Sequence, residues 1–261
     1  MPELPECEAA RRRIEDGALH RTIEGFELGE VSHVELPDEE ARARFLGTQF
    51  TRTRRHGKYL FVGSDSGPWL HIHLGMAGSV RVLDADAARP DFVRFTVRFE
   101  GGSGLHFRDP RKFGLVRLVE DVDAFISDKG LGPDALEIGD NAFAEVLGKT
   151  RGAIKPALLS QKKLAGVGNL WADEALYQTG IHPETRADTL GADEVRKLHA
   201  TLRGILSAVV ETNATYRLLP EDWLIHRRTI GKTCGRCSGK MTKKTVGGRT
   251  SFYCAEHQSA P

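Results

Sequence analysis

The chain opens with a proline that could act as a nucleophile. Pro2 follows a methionine that cellular processing readily removes before a small residue, which would leave a secondary amine at the chain end. Such an amine titrates near pH ~8, far below a lysine, so a useful fraction is neutral and can attack the anomeric carbon of a sugar. Glu3 and Glu6 place two carboxyl groups within reach for proton transfer. A terminus without any chemical role is the alternative, because many chains begin in this way.

Three cysteines and a histidine have the spacing of a metal site. Cys234 and Cys237 form one pair, and Cys254 and His257 form a second pair after sixteen intervening residues. Thiolate and imidazole ligands at this spacing are typical of tetrahedral zinc. A module of this size, with few large apolar residues, needs the roughly 10 kcal/mol that metal binding supplies. The pattern predicts one structural Zn²⁺ held by these four residues, with free or disulfide-bonded cysteines as the alternative. Cys7 lies apart and is interpreted as a small buried hydrophobe.

Charge is unevenly distributed, although the formal net charge is only +1. Residues 223–253 contain no Asp or Glu but eight basic residues, which are Arg227, Arg228, Lys232, Arg236, Lys240, Lys243, Lys244 and Arg249. A second basic cluster consists of Arg52, Arg54, Arg55 and Lys58, whereas residues 120–145 are acid-rich. Each cluster alone could be a solvated face. Together with a basic metal module, the two clusters indicate a polyanionic partner.

The hydrophobic pattern changes twice along the chain. It has helical spacing over residues 5–18, alternates as strands up to residue 119, and becomes helical again after residue 122. The predicted strands are 59–63, 69–74, 79–83, 92–99, 104–107 and 113–119, and a basic strand precedes Gly57. The predicted helices of the second part are 135–148, 153–163, 170–180 and 192–211. Two further strands turn at Gly247-Gly248 and predict a β-hairpin in the metal module.

These patterns predict a multidomain α+β protein. Residues 1–121 would form an antiparallel β-sandwich with a leading helix, residues 122–222 a helical domain, and residues 223–261 a zinc-finger β-hairpin. The composition, with 40% hydrophobic and 28% charged residues, is that of an ordinary globular protein. The sequence has neither an apolar run of membrane-spanning length nor the apolar core of a signal peptide. We therefore expect a cytoplasmic protein.

Six separated motifs resemble the formamidopyrimidine-DNA glycosylase family, in the family's order and over the whole chain. They are MPELPE (1–6), HGKYL (56–60), HLGMAG (73–78), DPRKFG (109–114), IKPALLSQKKLAGVGNLWADEALYQTGIHP (154–183) and GGRTSFYC (247–254). The resemblance implies a bacterial-type enzyme of base-excision repair that acts as a monomer on double-stranded DNA containing a damaged base. It also implies that the helical domain contains a helix-two-turns-helix element.

The resemblance assigns catalytic roles to particular residues. Pro2 matches the family residue that forms a Schiff base with the sugar at C1′ and expels the damaged base, after which β- and δ-elimination cut the strand. Glu3 matches the proton-transfer residue, and Glu6 and Glu174 match buried carboxylates that hold the terminus. Lys58 matches a lysine that contacts the flanking phosphates and assists catalysis. An exposed helix charge for Glu174 and a surface lysine for Lys58 are the alternatives.

The resemblance also implies a set of DNA contacts. Extruding a base costs a few kcal/mol, so other groups must fill the gap in the stack. Met76, Arg111 and Phe113 match the family's three inserted residues, although pattern alone would place Met and Phe in the core. The other implied contacts are His73, Lys155, Asn169 and Arg249. His71 and His73 lie on one face of a strand, and a satisfied interior histidine is an equal alternative for each.

Two departures from the family pattern bear on the expectations. His257 stands where the fourth zinc ligand is usually cysteine. Members that act on 8-oxoguanine have a longer Gly/Thr-rich loop over the flipped base, and residues 213–229 (NATYRLLPEDWLIHRRT) are short and lack that composition. We expect oxidised purines, ring-opened or 8-oxo, as substrates, with the ring-opened form first. A Nei-type preference for oxidised pyrimidines and a damaged-DNA binder without catalysis are the alternatives.

Overall fold

The computed structural model describes residues 1–29, 36–65 and 67–259. The chain forms two compact units, Met1–Gly130 and Leu131–Pro261. The hairpin module and residues 131–222 of the predicted helical domain fall in the second unit, whereas residues 122–130 fall in the first. The finer boundary at residue 222 stays a prediction. Within the described residues, no helix is long and apolar enough to span a bilayer.

The first unit is a β-sandwich preceded by a helix, which confirms the predicted fold class for this part. Its helices are α1 (Leu4–Ala18), α2 (Glu39–Ala43) and α3 (Val122–Asp128). Its strands are β1 (Ile23–Leu28), β2 (Arg52–His56), β3 (Tyr59–Gly63), β4 (Trp69–His73), β5 (Ser79–Leu83), β6 (Val93–Phe99), β7 (Gly104–Arg108) and β8 (Leu115–Val119). Among the described residues, one antiparallel sheet has the order β1-β6-β7-β5 and the other the order β2-β3-β4-β8.

The core of the first unit lies between the two sheets. Val80, Val97 and Phe107 of one sheet share a buried cluster with Leu60 and Leu70 of the other. Successive side chains of a strand point to opposite faces. Val80 and Phe107 have more exposed neighbours on their strands, whereas β3 and β4 are buried on both faces. The apolar pattern of the sequence located six strands to within about two residues at each end. The edge strand β1 was not predicted, since its sequence IEGFEL mixes glutamates and a glycine into the apolar pattern.

The second unit consists of helices and a hairpin. Its helices are α4 (Asp140–Gly148), α5 (Ile154–Leu159), α6 (Asn169–Thr179) and α7 (Ala192–Glu211), and its strands are β9 (Met241–Val246) and β10 (Arg249–Cys254). The hairpin turns at Gly247 and Gly248, both with positive φ, as the sequence predicts. The predicted helix over 135–148 begins only at Asp140, because the Ala135 N–H donates to the Ala165 carbonyl at 3.0 Å instead of continuing a helix.

An aromatic cluster on the first unit encloses a histidine that has no polar partner. The His71 ring lies 4.9 Å from the Phe125 ring and 5.1 Å from the Phe61 ring, and its side chain is fully buried. Among the described residues, neither ring nitrogen has a hydrogen-bond partner. His71 is therefore interior, as one alternative expected, but it is not satisfied. Burial, together with the charges of Arg117, His73 and Lys129, lowers the pKa of His71 to about 2.

The buried neutral imidazole predicts a loss of stability in mild acid. The unfolded chain would bind a proton at His71 below pH ~6.5, whereas the folded chain does so only near its pKa of about 2. Stability is therefore lost as the pH falls below the unfolded value, and His71 contributes a loss of about 2 kcal/mol between pH ~7.5 and pH ~5. We expect His71→Leu to lose correspondingly less over this interval in urea unfolding.

The control is His20→Asn, which replaces an exposed histidine at positive φ by a residue that tolerates this conformation. This variant should follow the pH dependence of the wild type. A proton NMR titration checks the same point directly, because the His71 ring signals should not titrate above pH ~4. Titration of those signals near pH ~6.5 would contradict the expectation.

Candidate functional site

The start of the chain has a fixed place in the first unit. Pro2 directly precedes Glu3, which is the N-cap of α1 and is only 3% exposed. The carboxylate of Glu6 accepts the backbone N–H of Glu3 at 2.7 Å, which is one half of a capping box. Glu6 therefore holds the backbone next to Pro2, and Glu3 is buried beside it.

The turn that carries Lys58 is tied to α1 by two side chains. The Cys7 thiol donates to the Lys58 carbonyl, with 3.5 Å between sulfur and oxygen. Arg55 donates from Nε to Glu8 at 3.1 Å and from a terminal nitrogen to the Gly57 carbonyl at 3.1 Å. Burial raises the pKa of Cys7 to about 12, so the thiol keeps its proton and remains a donor. Sequence reasoning interpreted Cys7 only as a small buried hydrophobe, but the structure makes it a contact between the first helix and the Lys58 turn.

The other arginines of this basic cluster have partners within the first unit. Arg55 is only 5% exposed and forms an ion pair with Glu8. Arg54 is paired with Asp123, and the Arg52 guanidinium carbon lies 4.4 Å from the centre of the Trp69 ring. The expectation that this basic cluster faces a polyanionic partner is therefore wrong for Arg55, because a buried and paired guanidinium cannot reach a phosphate.

His73 has a defined tautomer. Its Nδ1 accepts the Gly75 N–H at 3.1 Å, so the proton of the neutral ring resides on Nε2. Burial lowers the pKa of His73, and the positive charges of Lys58 and Arg117 lower it further. The ring is therefore neutral at physiological pH and can donate one hydrogen bond from Nε2, which suits contact with a phosphate oxygen.

Met76, Arg111 and Phe113 lie on two loops that pack together. Gly75 has a φ of +58°, and a Cβ placed on it would lie 2.5 Å from the Phe113 carbonyl carbon. The Arg111 guanidinium carbon lies 5.5 Å from the centre of the Phe113 ring. Met76 is 38% exposed and Phe113 is 59% exposed, so neither belongs to the core, contrary to what pattern alone suggests. Two exposed apolar side chains and a cation thus project from adjoining loops.

A buried carboxylate shapes the second of these loops. Asp109 is fully buried, and its two oxygens accept the backbone N–H groups of Arg111 at 3.1 Å and of Gly114 at 2.6 Å. Between them Lys112 adopts a φ of +57°. Sequence reasoning did not assign Asp109 a role. The Asp-Pro pair at the start of the loop was the available signal, since Asp commonly bonds to the backbone two residues later.

In the second unit, a glutamine shapes the loop between α5 and α6. Gln161 donates from Nε2 to the carbonyls of Leu159 and Val167 at 2.9 and 2.8 Å, and its Oε1 accepts the Gly166 N–H at 3.0 Å. Gly166 has a φ of +108°, which favours glycine. The loop leads directly into Asn169 at the start of α6, and the N-terminus of a helix favours an anion.

The hairpin strand β10 is bound to the residues of α5 and α6. Asn169 donates from Nδ2 to the Thr250 carbonyl at 3.0 Å. Lys155 donates from Nζ to the same carbonyl at 2.9 Å and to Ser251 Oγ at 2.6 Å. The side chain of Lys155 is fully buried, so it cannot serve as the direct DNA contact that the resemblance implies. Arg249, by contrast, is exposed beside the hairpin turn.

Glu174 is buried rather than an exposed helix charge. It is 1% exposed and accepts the backbone N–H groups of Leu224 at 3.1 Å and Ile225 at 2.9 Å, as well as the Gln178 amide at 2.9 Å. Burial raises the pKa of Glu174, and these donors oppose the rise. Both oxygens are engaged within the second unit, and capping the turn after residue 223 is the role that these contacts support.

The three C-terminal cysteines form a group that fits a metal ion. Within the described residues, their sulfur atoms all lie within 4.8 Å of one another, and Cys237 Sγ is 3.6 Å from Cys254 Sγ. The Arg236 N–H donates to Cys234 Sγ at 3.4 Å, and the Gly239 N–H donates to Cys237 Sγ at 3.3 Å. Backbone donors directed at sulfur stabilise thiolates, which are the form that binds zinc.

His257, the expected fourth ligand, does not belong to this group among the described residues. Its Nε2 lies 2.7 Å from the Tyr177 carbonyl oxygen, so this nitrogen carries a proton and donates it. The expectation of four converging ligands is therefore not met, because the imidazole is directed at the end of α6. The structure brings together three of the four predicted ligands.

Comparison with known proteins identifies the family of this chain. Residues 1–116 match the model of the formamidopyrimidine-DNA glycosylase N-terminal domain, and residues 130–218 match the model of the helix-two-turns-helix domain of the same enzymes. The chain belongs to the formamidopyrimidine-DNA glycosylase family. It is thus a DNA glycosylase by descent, and the predicted fold class and enzyme class are confirmed.

Relatives in the family align over nearly the full length. The formamidopyrimidine-DNA glycosylase of Roseiflexus sp. is 35% identical, with 99% of this chain and 100% of that protein covered. The Arabidopsis thaliana enzyme is 34% identical, with 99% of this chain and 71% of that protein covered. The Lactococcus lactis enzyme bound non-covalently to DNA containing an abasic site superposes with a TM-score of 0.87 at 28% identity. That alignment covers 99% of this chain and 100% of the other.

The Asp109 contacts generate a prediction for this glycosylase. In Asp109→Asn the side-chain NH₂ group would face a backbone N–H, so one buried hydrogen bond is lost and a donor is left unpaired. Such a loss costs about 1–3 kcal/mol. We expect urea unfolding at a correspondingly lower midpoint and weaker binding to a duplex with an abasic-site analogue, because the Arg111–Phe113 loop loses its support.

Asp86→Asn is the matched control, since Asp86 is an exposed aspartate of the same unit. It removes the same charge without breaking a buried bond. Equal unfolding midpoints and equal duplex affinities for the two variants would show that Asp109 does not support the loop.

Proposed function

We propose that this chain is a bifunctional DNA glycosylase and abasic-site lyase of base-excision repair that removes oxidised purines, ring-opened purines first. The observation that carries the proposal is the pair of packed loops from which Met76, Arg111 and Phe113 project. Exposed apolar groups on rigid loops are costly in water. They are explained if they enter the space that an extruded base leaves in the duplex.

The chemistry begins at the secondary amine that removal of Met1 leaves on Pro2. Its nitrogen lone pair attacks C1′ of the damaged nucleotide, the C1′–N bond breaks, and the base leaves with a proton. The bond between C1′ and the ring oxygen of the sugar then breaks, and an iminium ion links Pro2 to the opened sugar. Abstraction of a C2′ proton then expels the 3′ phosphate by β-elimination. A second elimination expels the 5′ phosphate, and hydrolysis frees the proline.

The proton transfers belong to a group next to the amine. Glu3 is buried at the start of α1, adjacent in sequence to Pro2, and can deliver a proton to the ring oxygen and take one later. Glu6 keeps this backbone in place through its bond to the Glu3 N–H. Lys58 is held against α1 by Cys7 and supplies a positive charge for the phosphates that flank the damaged nucleotide.

The remaining contacts bind the phosphate backbone. We assign phosphate contacts to His73 through Nε2–H, to Asn169 at the start of α6, and to Arg249 at the hairpin turn. Phosphate contacts fix the register of a protein on the duplex but do not read sequence. This suits an enzyme that must find damage in any sequence. The DNA partner is a duplex with one damaged base.

The segment after α7 supports the preference for a ring-opened purine. Its backbone is folded locally, since the Ala214 N–H donates to the Val209 carbonyl at 2.9 Å and the Leu218 N–H to the Thr215 carbonyl at 3.0 Å. The ring of Tyr216 packs edge-on against Trp171 at 5.5 Å. A segment engaged in this way is not a long cover over an 8-oxoguanine. Its shortness is also the specific observation in favour of the second candidate, an oxidised pyrimidine.

Borohydride trapping tests both the chemistry and the base. We expect a stable crosslink between the mature protein and a duplex that contains one formamidopyrimidine, with slower trapping on 8-oxoguanine and the slowest on dihydrouracil. Reduction of the iminium ion makes the bond permanent, so crosslinked product on a denaturing gel measures its formation. Fastest trapping on dihydrouracil would favour an oxidised pyrimidine as the substrate.

Variants of the terminus serve as controls for the trapping. An added residue before Pro2 turns the amine into an amide and should abolish the crosslink, while Pro2→Gly should reduce it strongly. Tight binding of every lesion duplex without any crosslink would mean that the chain is a damage binder without catalysis. A crosslink of undiminished yield in the extended protein would exclude Pro2 as the nucleophile.

We further propose one structural zinc ion in the hairpin module. Cys234, Cys237 and Cys254 would hold it as thiolates. His257 would complete the ligand set only through Nδ1, because the Tyr177 carbonyl holds the proton of the ring on Nε2. The ion supplies folding free energy to the module and takes no part in the chemical steps.

Loss of a zinc-binding cysteine should impair the hairpin module and leave the first unit folded. We expect Cys237→Ser to lose the zinc and to lower duplex affinity at least tenfold, because β9 and β10 lose their support. The β-sandwich should stay folded, since Cys237 lies in the other unit. Elemental analysis, circular dichroism and titration of a labelled duplex measure these effects. Cys7→Ser is the control and should retain zinc; unchanged affinity in Cys237→Ser would contradict the proposed role of the module.

A further inference from the structure

We infer that Lys155 and Asp173 form a buried anchor that positions the hairpin strand β10 for DNA, and that Lys155 acts through this strand without touching DNA itself. The inference rests on the proposed duplex binding by Asn169 and Arg249. It assigns Lys155 a different role from the phosphate contact that the family resemblance implies, and it adds Asp173, for which the sequence indicated no role.

The first element of the anchor is a buried lysine that bonds both the hairpin and α6. Lys155 Nζ has oxygen atoms of Thr250, Ser251 and Asp173 at 2.9, 2.6 and 2.8 Å. Its side chain has no exposed surface, and Ser251 is also fully buried. A lysine is rarely buried in this way unless its charge is paired and its donors are satisfied. Here all of these partners come from α6 or β10.

The second element is the carboxylate that balances the lysine. Asp173 accepts the backbone N–H of Phe252 at 3.1 Å, so it bonds β10 directly. Its Oδ2 lies 2.9 Å from Arg228, whose guanidinium carbon lies 4.8 Å from the centre of the Phe252 ring. One carboxylate thus joins two cations and a strand, and it is 1% exposed. Removal of one member of such a buried group leaves the others uncompensated, which is strongly destabilising locally.

The anchor connects the two proposed DNA contacts of the second unit. The Thr250 carbonyl accepts from both Lys155 and Asn169, and Arg249 directly precedes it in the chain. A shift of β10 would therefore move Arg249 and release the Asn169 side chain at the same time. The ion pair between Lys244 and Glu184 also joins the hairpin to the unit, but it is half exposed and contributes little.

Simple electrostatics and the anchor give opposite expectations for Asp173→Asn. The substitution removes a negative charge close to a surface that binds a polyanion, so charge alone would tighten duplex binding. Loss of the anchor would weaken it. We expect the dissociation constant for a duplex with an abasic-site analogue to rise at least tenfold, while the zinc content stays at that of the wild type. Asp193→Asn, an exposed aspartate of α7, is the charge-matched control and should bind no more weakly than the wild type.

Ser251→Ala covers the case in which Asp173→Asn does not fold. It deletes one hydrogen bond to Lys155 without leaving a buried charge unpaired. We expect a several-fold loss of affinity in the same direction. Amide hydrogen exchange at Phe252 should be faster in both variants, because its N–H donates into the anchor. Unchanged exchange at Phe252 would overturn the anchor whether or not the protein binds DNA, so this readout is independent of the proposed function.

A mutant cycle distinguishes a positioning role of Lys155 from a direct contact between Lys155 and DNA. If Lys155 acts only through β10, Lys155→Met should weaken binding strongly in the wild type and less than twofold in a background with Arg249→Ala and Asn169→Ala. The single-turnover excision rate at saturating enzyme should change less than the affinity does. Additive losses in the cycle would mean that Lys155 reaches the phosphates itself, and the inference would be wrong.

Discussion

A buried carboxylate that accepts two backbone N–H groups is the interaction on which the Arg111–Phe113 loop depends. Asp109 bonds the amides of Arg111 and Gly114, so the residues between them cannot relax into other turns. An exposed phenylalanine on a loose loop would fold back onto apolar surface. On a fixed loop it stays projected, and this is the condition for entering a base stack.

Hydrogen bonds from a side chain to irregular backbone also occur at other points of the molecule. Glu6 holds the backbone at Glu3, Glu174 caps the turn at Leu224 and Ile225, and Gln161 spans the loop before α6. In each case a side chain satisfies backbone groups that lie outside regular helices and strands, where unpaired buried polar groups are costly. The functional segments are thus irregular but rigid. Rigidity of this kind lets short loops carry precise chemistry without a large supporting domain.

Much of the fold could be predicted from the sequence, because alternation and helical spacing are local properties. The hairpin around Gly247-Gly248 was found in full, since two glycines at positive φ between alternating strands admit few other structures. The family motifs assigned the roles of Pro2, Glu3 and Lys58, which chemistry alone left open. Strand β1 was missed because half of an edge strand faces solvent and tolerates charge.

The sequence could not show which charged residues are buried and bonded to other residues of the protein. Arg55 and Glu8 are separated by 47 positions, and Lys155 and Ser251 by 96, so nothing local indicates that they meet. Lys155 therefore looked like a DNA contact and Arg55 like part of a basic surface. The same limit applies to His71, whose lack of a hydrogen-bond partner among the described residues depends on aromatic rings of β3 and α3.

The packing of Cys7 has a consequence for durability under oxidative stress. Thiols are attacked by peroxides and alkylating agents as thiolates, and they must be reached to react. Cys7 is 1% exposed, and its pKa of about 12 leaves essentially no thiolate in the cell. A reactive cysteine near the proposed nucleophile Pro2 would be a hazard in a DNA-repair enzyme that is needed when reactive oxygen is abundant. Its enclosure makes the Cys7 thiol chemically inert, so peroxides would not damage the start of the chain through this residue.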